Sequence, residues 1–284
     1  MTAYVRARRY PRQMARDIGA GADGVAAPPR RLAARFEILT HEGFPVYRVR
    51  PRGAGRGLCL HLHGGAMVYG LNPQHYAAAA RLADESGAEV WLPEYPLPPG
   101  RDARFVTTWT AGLVARAMAA GPLVLSGDSA GAGLALGAAQ ARAAAEQAQP
   151  RRLVLLSPWA DLTMRNPALA TSGRREPLIA STVLAEAGRR YAGALDVTDP
   201  LVSPGLSDVS GLPPTTIVAG DRDVLWPDIR ALADRMAAAG VPLDLTVERG
   251  LGHYWMFYPV PEARRTMTAV AATVRKALRP EVRS

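Results

Sequence analysis

From about residue 36 onward, short apolar runs alternate with longer stretches of helical spacing. Phe36 to Thr40 and Pro45 to Arg50 interleave apolar and polar positions around His41-Glu42-Gly43, which predicts a hairpin. Gly57 to Leu62 is almost wholly apolar, as expected of a buried strand, and the alanine-rich stretch Pro73 to Ser86 predicts a helix. Further strands are predicted at Ala88 to Leu92, Pro122 to Ser126, Arg152 to Leu156, Thr215 to Val218 and Leu243 to Val247. Helices are predicted between and after them, at about Asp102 to Ala119, Ala130 to Gln147, Pro227 to Ala239 and Pro261 to Leu278. Strands alternating with helices in this way predict an α/β domain on a mostly parallel, eight-stranded sheet flanked by helices.

One region breaks that rhythm. Residues 160 to 213 offer no strand, yet they separate two strands that should be neighbours, and a gap of that length in a compact domain points to an inserted functional segment. Its Pro/Gly punctuation and the helical stretch Ser181 to Ala194 suggest a lid over the sheet's C-terminal edge. The first 30 or so residues, basic and broken by Pro28-Pro29, are expected to join it.

Composition narrows the class without naming a function. At 284 residues, 48% hydrophobic and 21% charged, the chain is long enough for a full core and is neither disordered nor fibrous. No run approaches the roughly 20 apolar residues that span a bilayer. The arginine-rich start has no signal-like apolar core, so a cytoplasmic location without a membrane partner is expected. Cys59 is the single cysteine, which excludes an intramolecular disulfide and a multi-cysteine zinc site; it is expected to be an inert buried thiol. The formal charge of +9 invites a nucleic-acid reading, but Lys276 is the only lysine among 34 basic residues and the arginines are dispersed. No nucleic-acid partner is expected. Arg174 and Arg175 are left as candidates for steering an anionic substrate.

The candidate chemistry lies in neutral motifs. Gly127-Asp128-Ser129-Ala130-Gly131 matches G-x-S-x-G between a predicted strand and a predicted helix, the context that exposes a serine on a strained turn. At that helix N-terminus the dipole and the Ala130 N–H favour developing negative charge. In such sheets the order is serine, acid, histidine, and His253 is the only one of the five histidines that follows Ser129. The acid should follow the strand at Thr215 to Val218, where Asp223 is preferred, with Asp221 as the alternative and turn or helix capping as the other role for Asp221 and Asp228. His63-Gly64-Gly65-Ala66 resembles an oxyanion loop whose N–H groups join that of Ala130. Two of Gly64, Gly65 and Ala66 would donate, and Ala66, where a third glycine is common, is tolerable there if its backbone dihedrals are ordinary. His61 and His63 are read as facing opposite sides of their strand, which argues against a metal site.

Taken together, the motifs resemble the bacterial hormone-sensitive-lipase-like esterases of the α/β-hydrolase superfamily. The resemblance also covers Leu156 to Thr163, Asp199 to Pro204, Gly211 to Pro214, Asp223-Val224-Leu225 and Gly252-His253. It implies an α/β-hydrolase fold with a cap built from residues 1 to about 30 and about 161 to 210. It further implies a serine ester hydrolase without cofactor, acting on short-acyl esters or lactones, and it supports Asp223 as the acid. Asp161 is read as a turn aspartate. Met67, Tyr69, Tyr254 and Trp255 adjoin the candidate loops and are candidate pocket walls; a core role is the alternative, and bulky walls would favour short acyl chains. A homodimer is left open. Gly19 to Gly24 spells a dinucleotide fingerprint but lacks its flanking strand and helix. A catalytically silent small-molecule binding protein on the same fold is the alternative function.

Overall fold

The computed structural model describes residues 13–14, 16–17, 26–53, 55–172 and 179–279. After a short turn of helix, α1 (Arg30–Ala33), the strands are β1 (Phe36–His41), β2 (Phe44–Val49), β3 (Leu58–Leu62), β4 (Glu89–Pro93), β5 (Leu123–Asp128), β6 (Arg152–Leu156), β7 (Thr215–Gly220) and β8 (Leu243–Glu248). They form one sheet in the order β1-β2-β4-β3-β5-β6-β7-β8. β1, β2 and β4 pair antiparallel, and every pairing from β4 through β3 to β8 is parallel. This is an α/β-hydrolase sheet, with the expected hairpin at its antiparallel edge.

Alternation along the central strands builds a core on each face. Leu60, Leu62, Leu125, Leu153, Leu155 and Ile217 pack with α3 (Ala103–Ala120), α4 (Ser129–Ala144) and α7 (Trp226–Ala238). Their neighbours Cys59, Val124, Val154, Leu156 and Val218 pack on the opposite face with α2 (Pro73–Ser86) and α8 (Pro261–Ala277). Burial on both faces explains why these strands read as continuous apolar runs. Helix starts follow local chemistry: Asn72 caps α2 by accepting from the Gln74 and His75 N–H groups, with Pro73 at the first helical position, and Asp102 accepts from the Phe105 N–H at the start of α3.

The insertion carries two helices, α5 (Leu169–Ser172) and α6 (Ser181–Ala192). α6 packs against α3, and α5 packs against α7, so the segment is tied to the helices of one sheet face. Most of the N-terminal stretch expected to join it, together with the fingerprint at Gly19 to Gly24 and with Arg174 and Arg175, lies outside the described residues. Within the part that is described, Met14 is buried in the first core and Asp17 accepts a hydrogen bond from Tyr69. Among the described residues no helix is long and apolar enough to cross a membrane.

Candidate active site

β5 runs through Asp128 and α4 begins at Ser129, so strand and helix join with no residue between. The junction is tighter than the strand end at Ser126 and helix start at Ala130 expected from the sequence, because the backbones of Gly127 and Gly131 touch. A Cβ on Gly127 would lie 2.4 Å from the Gly131 carbonyl oxygen, and one on Gly131 would lie 2.1 Å from that of Leu62. Ser129 takes the strain, with φ at +49°. A non-glycine residue held there costs on the order of 1–3 kcal/mol, which the surrounding sheet must supply.

Three side chains from separate loops converge on that turn. His253 Nε2 lies 3.0 Å from Ser129 Oγ, and its Nδ1 lies 2.9 and 3.0 Å from the two carboxylate oxygens of Asp223. With Nδ1–H donating to the carboxylate, Nε2 is left to accept the serine proton. Asp223 is wholly buried, and its Oδ1 also accepts the Leu225 N–H at 2.9 Å. Of the two acids left open, Asp223 therefore meets the histidine. Asp221 instead accepts the Gly250 N–H at 2.6 Å, tying the loop before His253 to the loop after β7. Asp228 lies in the first turn of α7, where Asn166 of the insertion donates to it at 2.7 Å and burial raises its carboxyl to about 6.

The candidate oxyanion loop does not meet the condition set for alanine at position 66. Gly65, Ala66 and Met67 have φ of +133°, +55° and +57°, so Ala66 is left-handed, not ordinary. The chain must reverse at once after β3, and the Gly65 carbonyl accepts from the N–H groups of both Val68 and Tyr69, which closes the turn. Gly64 lies against the Ser129 turn: a Cβ there would sit 3.1 Å from Ser129 Cβ and 2.3 Å from Asp128 Oδ2. Asp161 forms the expected turn, accepting from the Thr163 N–H and hydroxyl.

The reading of His61 and His63 is also corrected. Residues two apart on a strand share a face, and both rings lie on the α2 side, where His63 is 5.5 Å from His75 between ring centroids. There a second serine–histidine–carboxylate trio is buried: His61 Nδ1 is 3.0 Å from Ser126 Oγ and its Nε2 is 3.2 Å from Asp128 Oδ1. His75 Nε2 approaches the other carboxylate oxygen at 3.7 Å and contacts the Tyr254 hydroxyl at 3.2 Å, which also accepts from Asn72 at 2.9 Å. Burial raises the Asp128 carboxyl, but the imidazoles of His75 and His61 outweigh it and hold the group well below the usual carboxylate range. His63 is driven down to about 3, chiefly by burial and then by His75, and so is neutral. Its ring stacks on Tyr95, whose hydroxyl donates to the His63 carbonyl at 2.8 Å. Glu94, beside them, is raised to about 7 by burial although it accepts the Leu71 N–H.

This buried network was missed in the sequence. Its signal was a carboxylate next to the candidate nucleophile and two histidines at one strand end, a combination that needs a partner on the same face.

The candidate pocket residues separate. Met67 lines a cavity of about 200 Å³ beside α4, together with Gly133, Trp159 and Tyr191. Tyr69 reaches the N-terminal segment, Tyr254 braces His75, and Trp255 is buried in the α2–α8 core, the alternative weighed for these aromatics. Cys59 is fully buried and its thiol is pushed up to about 12 by burial, so it is not a thiolate nucleophile.

Known proteins share this architecture. The family described as alpha/beta hydrolase fold matches residues 59–257. An acetyl-hydrolase of Streptomyces hygroscopicus is 35% identical over 277 residues, covering 94% of this chain and 90% of the relative. An esterase of Acinetobacter venetianus is 28% identical over 253 residues, covering 86% and 82%. Among solved structures, an esterase from the bacterial hormone-sensitive lipase family superimposes with a TM-score of 0.82 at 28% identity, covering 98% of this chain and 99% of the other.

Proposed function

The chain belongs to the α/β-hydrolase fold family, among the bacterial hormone-sensitive-lipase-like esterases, and is a carboxylic ester hydrolase; on that footing we propose that it works through an acyl-enzyme on Ser129 and acts on short-acyl esters or lactones. The observation that carries the reading is the relay Ser129–His253–Asp223 at the N-terminus of α4, with 3.0 Å from hydroxyl to imidazole and 2.9 Å from imidazole to carboxylate.

In the first half-reaction Ser129 Oγ attacks the substrate carbonyl while His253 Nε2 takes its proton. Asp223 holds the imidazole in the tautomer that can accept, and stabilises the imidazolium once formed. The oxyanion develops against N–H groups of Ala130 and of the Gly64–Ala66 loop, of which Gly64 lies against Ser129. A donor of this kind is worth roughly 10²–10³ in turnover. The imidazolium then protonates the leaving alcohol, and water attacks the acyl-enzyme with His253 as base. An acetyl-hydrolase and an esterase among the relatives support ester and acetyl substrates. Residues about 161 to 210, and the N-terminal stretch as far as it is described, are proposed to act as the cap.

The reading is tested with p-nitrophenyl acetate. Wild-type protein turns it over and Ser129→Ala does not. Equal rates in the two proteins would refute the assignment.

A further inference from the structure

We propose that the cavity beside α4 holds the acyl chain of the substrate and selects chains that carry a hydroxyl. This deepens the esterase reading and rests on it. The cavity is bounded by elements that hold the nucleophile. Met67 follows the candidate oxyanion loop directly, Gly133 lies one helical turn after Ser129 on the same face of α4, and Trp159, whose backbone N–H donates to the Ser129 carbonyl at 3.0 Å, forms another wall. From Gly133 it continues along α4 to Ala138 and beyond, where glycine and alanine leave the room. Its volume of about 200 Å³ exceeds the ~150 Å³ that accommodates a benzene ring, so a chain of about six carbons is the right size.

Two features set it apart from a plain apolar slot. Thr110 of α3 and Tyr191 of α6 line the cavity, each is 1% exposed, and neither hydroxyl has a hydrogen-bond partner among the described residues. Buried hydroxyls are normally satisfied, and a pair left open in one cavity calls for a ligand group that can both donate and accept. A chain hydroxyl does both.

Such a chain arises from two sources. A linear hydroxy ester brings it ready made. A lactone makes it on the enzyme: attack by Ser129 Oγ forms the serine ester and breaks the ring C–O bond, and the serine proton, carried by His253, ends on the released ring oxygen as a hydroxyl. Water then frees the hydroxy acid and restores Ser129. A cavity that binds the new hydroxyl keeps it from attacking the acyl-enzyme and re-forming the ring.

The test compares kcat/KM for p-nitrophenyl acetate, hexanoate and 6-hydroxyhexanoate, and for the six-carbon lactone, in wild type, Thr110→Val, Tyr191→Phe and Ala138→Leu. Ratios within one preparation cancel differences in active fraction. Wild type is expected to favour 6-hydroxyhexanoate over hexanoate about tenfold, the value of one to two satisfied hydrogen bonds, and each hydroxyl variant should pull that ratio toward one. Ala138→Leu should lower hexanoate relative to acetate by about tenfold. A lactone rate that falls with the hydroxy ester in the hydroxyl variants assigns both sources; a constant lactone rate confines the assignment to linear hydroxy esters. A wild-type ratio near one, or a ratio unchanged in both hydroxyl variants, overturns the proposal. No turnover of acetate by wild type would sink the esterase reading instead.

Discussion

Two serine–histidine–aspartate trios are built on serines three residues apart, Ser126 and Ser129, and their interatomic distances barely differ. Ser129, His253 and Asp223 are joined at 3.0 and 2.9 Å; Ser126, His61 and Asp128 are joined at 3.0 and 3.2 Å. The settings differ completely. Ser126 sits inside β5, whose backbone is paired to β3 and β6, and faces the α2 core. Ser129 sits at +49° in φ on the first residue of a helix, with Gly64 against it. The ring orientation differs as well: His253 turns Nε2 to its serine, whereas His61 turns Nδ1. Three side chains at hydrogen-bond distance therefore do not define a nucleophile. A strained turn, a helix N-terminus and a neighbouring loop of N–H groups are what separate the two.

The largest expected effect comes from Ser129→Ala, which should cut turnover of a short p-nitrophenyl ester by as much as ~10⁶, whereas Ser126→Ala should stay within about tenfold. Ser126→Ala should instead appear in stability, losing about 1–3 kcal/mol in denaturant titration because His61 Nδ1 is left buried without its partner. A comparable loss of activity in both serine variants would erase the distinction. Next is the acid: Asp223→Asn should lower kcat by about 10⁴, as when a triad histidine is held in the wrong tautomer, and Asp221→Asn should fall far short of that because Asp221 serves the Gly250 N–H. The opposite ranking would move the acid by two residues.

Glu94 sharpens the contrast with Asp128, since one buried acid is raised and the other lowered. Glu94 is raised from 4.5 to about 7, so the folded state binds its proton more tightly than the unfolded state. Stability from this group is complete below about pH 4.5 and is lost as pH rises toward 7, by roughly 3 kcal/mol at 1.36 kcal/mol per pH unit. Glu94→Gln keeps an acceptor for the Leu71 N–H and should flatten that fall in melts recorded from pH 5 to 8; an unchanged slope would show that another group carries it. The smallest effect is at Ala66. Ala66→Gly removes a left-handed cost of about 1 kcal/mol and adds freedom to the unfolded chain, so stability should change by less than about 1 kcal/mol.

Strand positions were legible in the sequence because central strands buried on both faces leave apolar runs, unbroken as at Leu153 to Leu156. Ser129 and His253 were legible because motif context and chain order left one candidate each, and Asp223 was already preferred over Asp221 in the sequence, a preference with which its pairing to His253 agrees. The Asp128 network was not legible. It depends on β3, β5 and α2 presenting His61, Ser126 and His75 to one face; only the shared side of His61 and His63 follows from strand alternation alone. The left-handed turn at Ala66 was hidden for a different reason: alanine carries no mark of positive φ, and the sharp reversal that forces it belongs to the fold. In the insertion, α6 showed helical spacing, while the four-residue α5 is too short to leave a period.

Ser129, and not Ser126, is the proposed nucleophile. This is tested most directly by reacting the protein with a fluorophosphonate and locating the adduct by fragment-ion mass spectrometry, since both serines fall on one tryptic peptide. The expected result is a single phosphonylated residue, Ser129, with ester turnover lost in proportion to labelling. An adduct on Ser126, or full loss of turnover with Ser129 unlabelled, would contradict it.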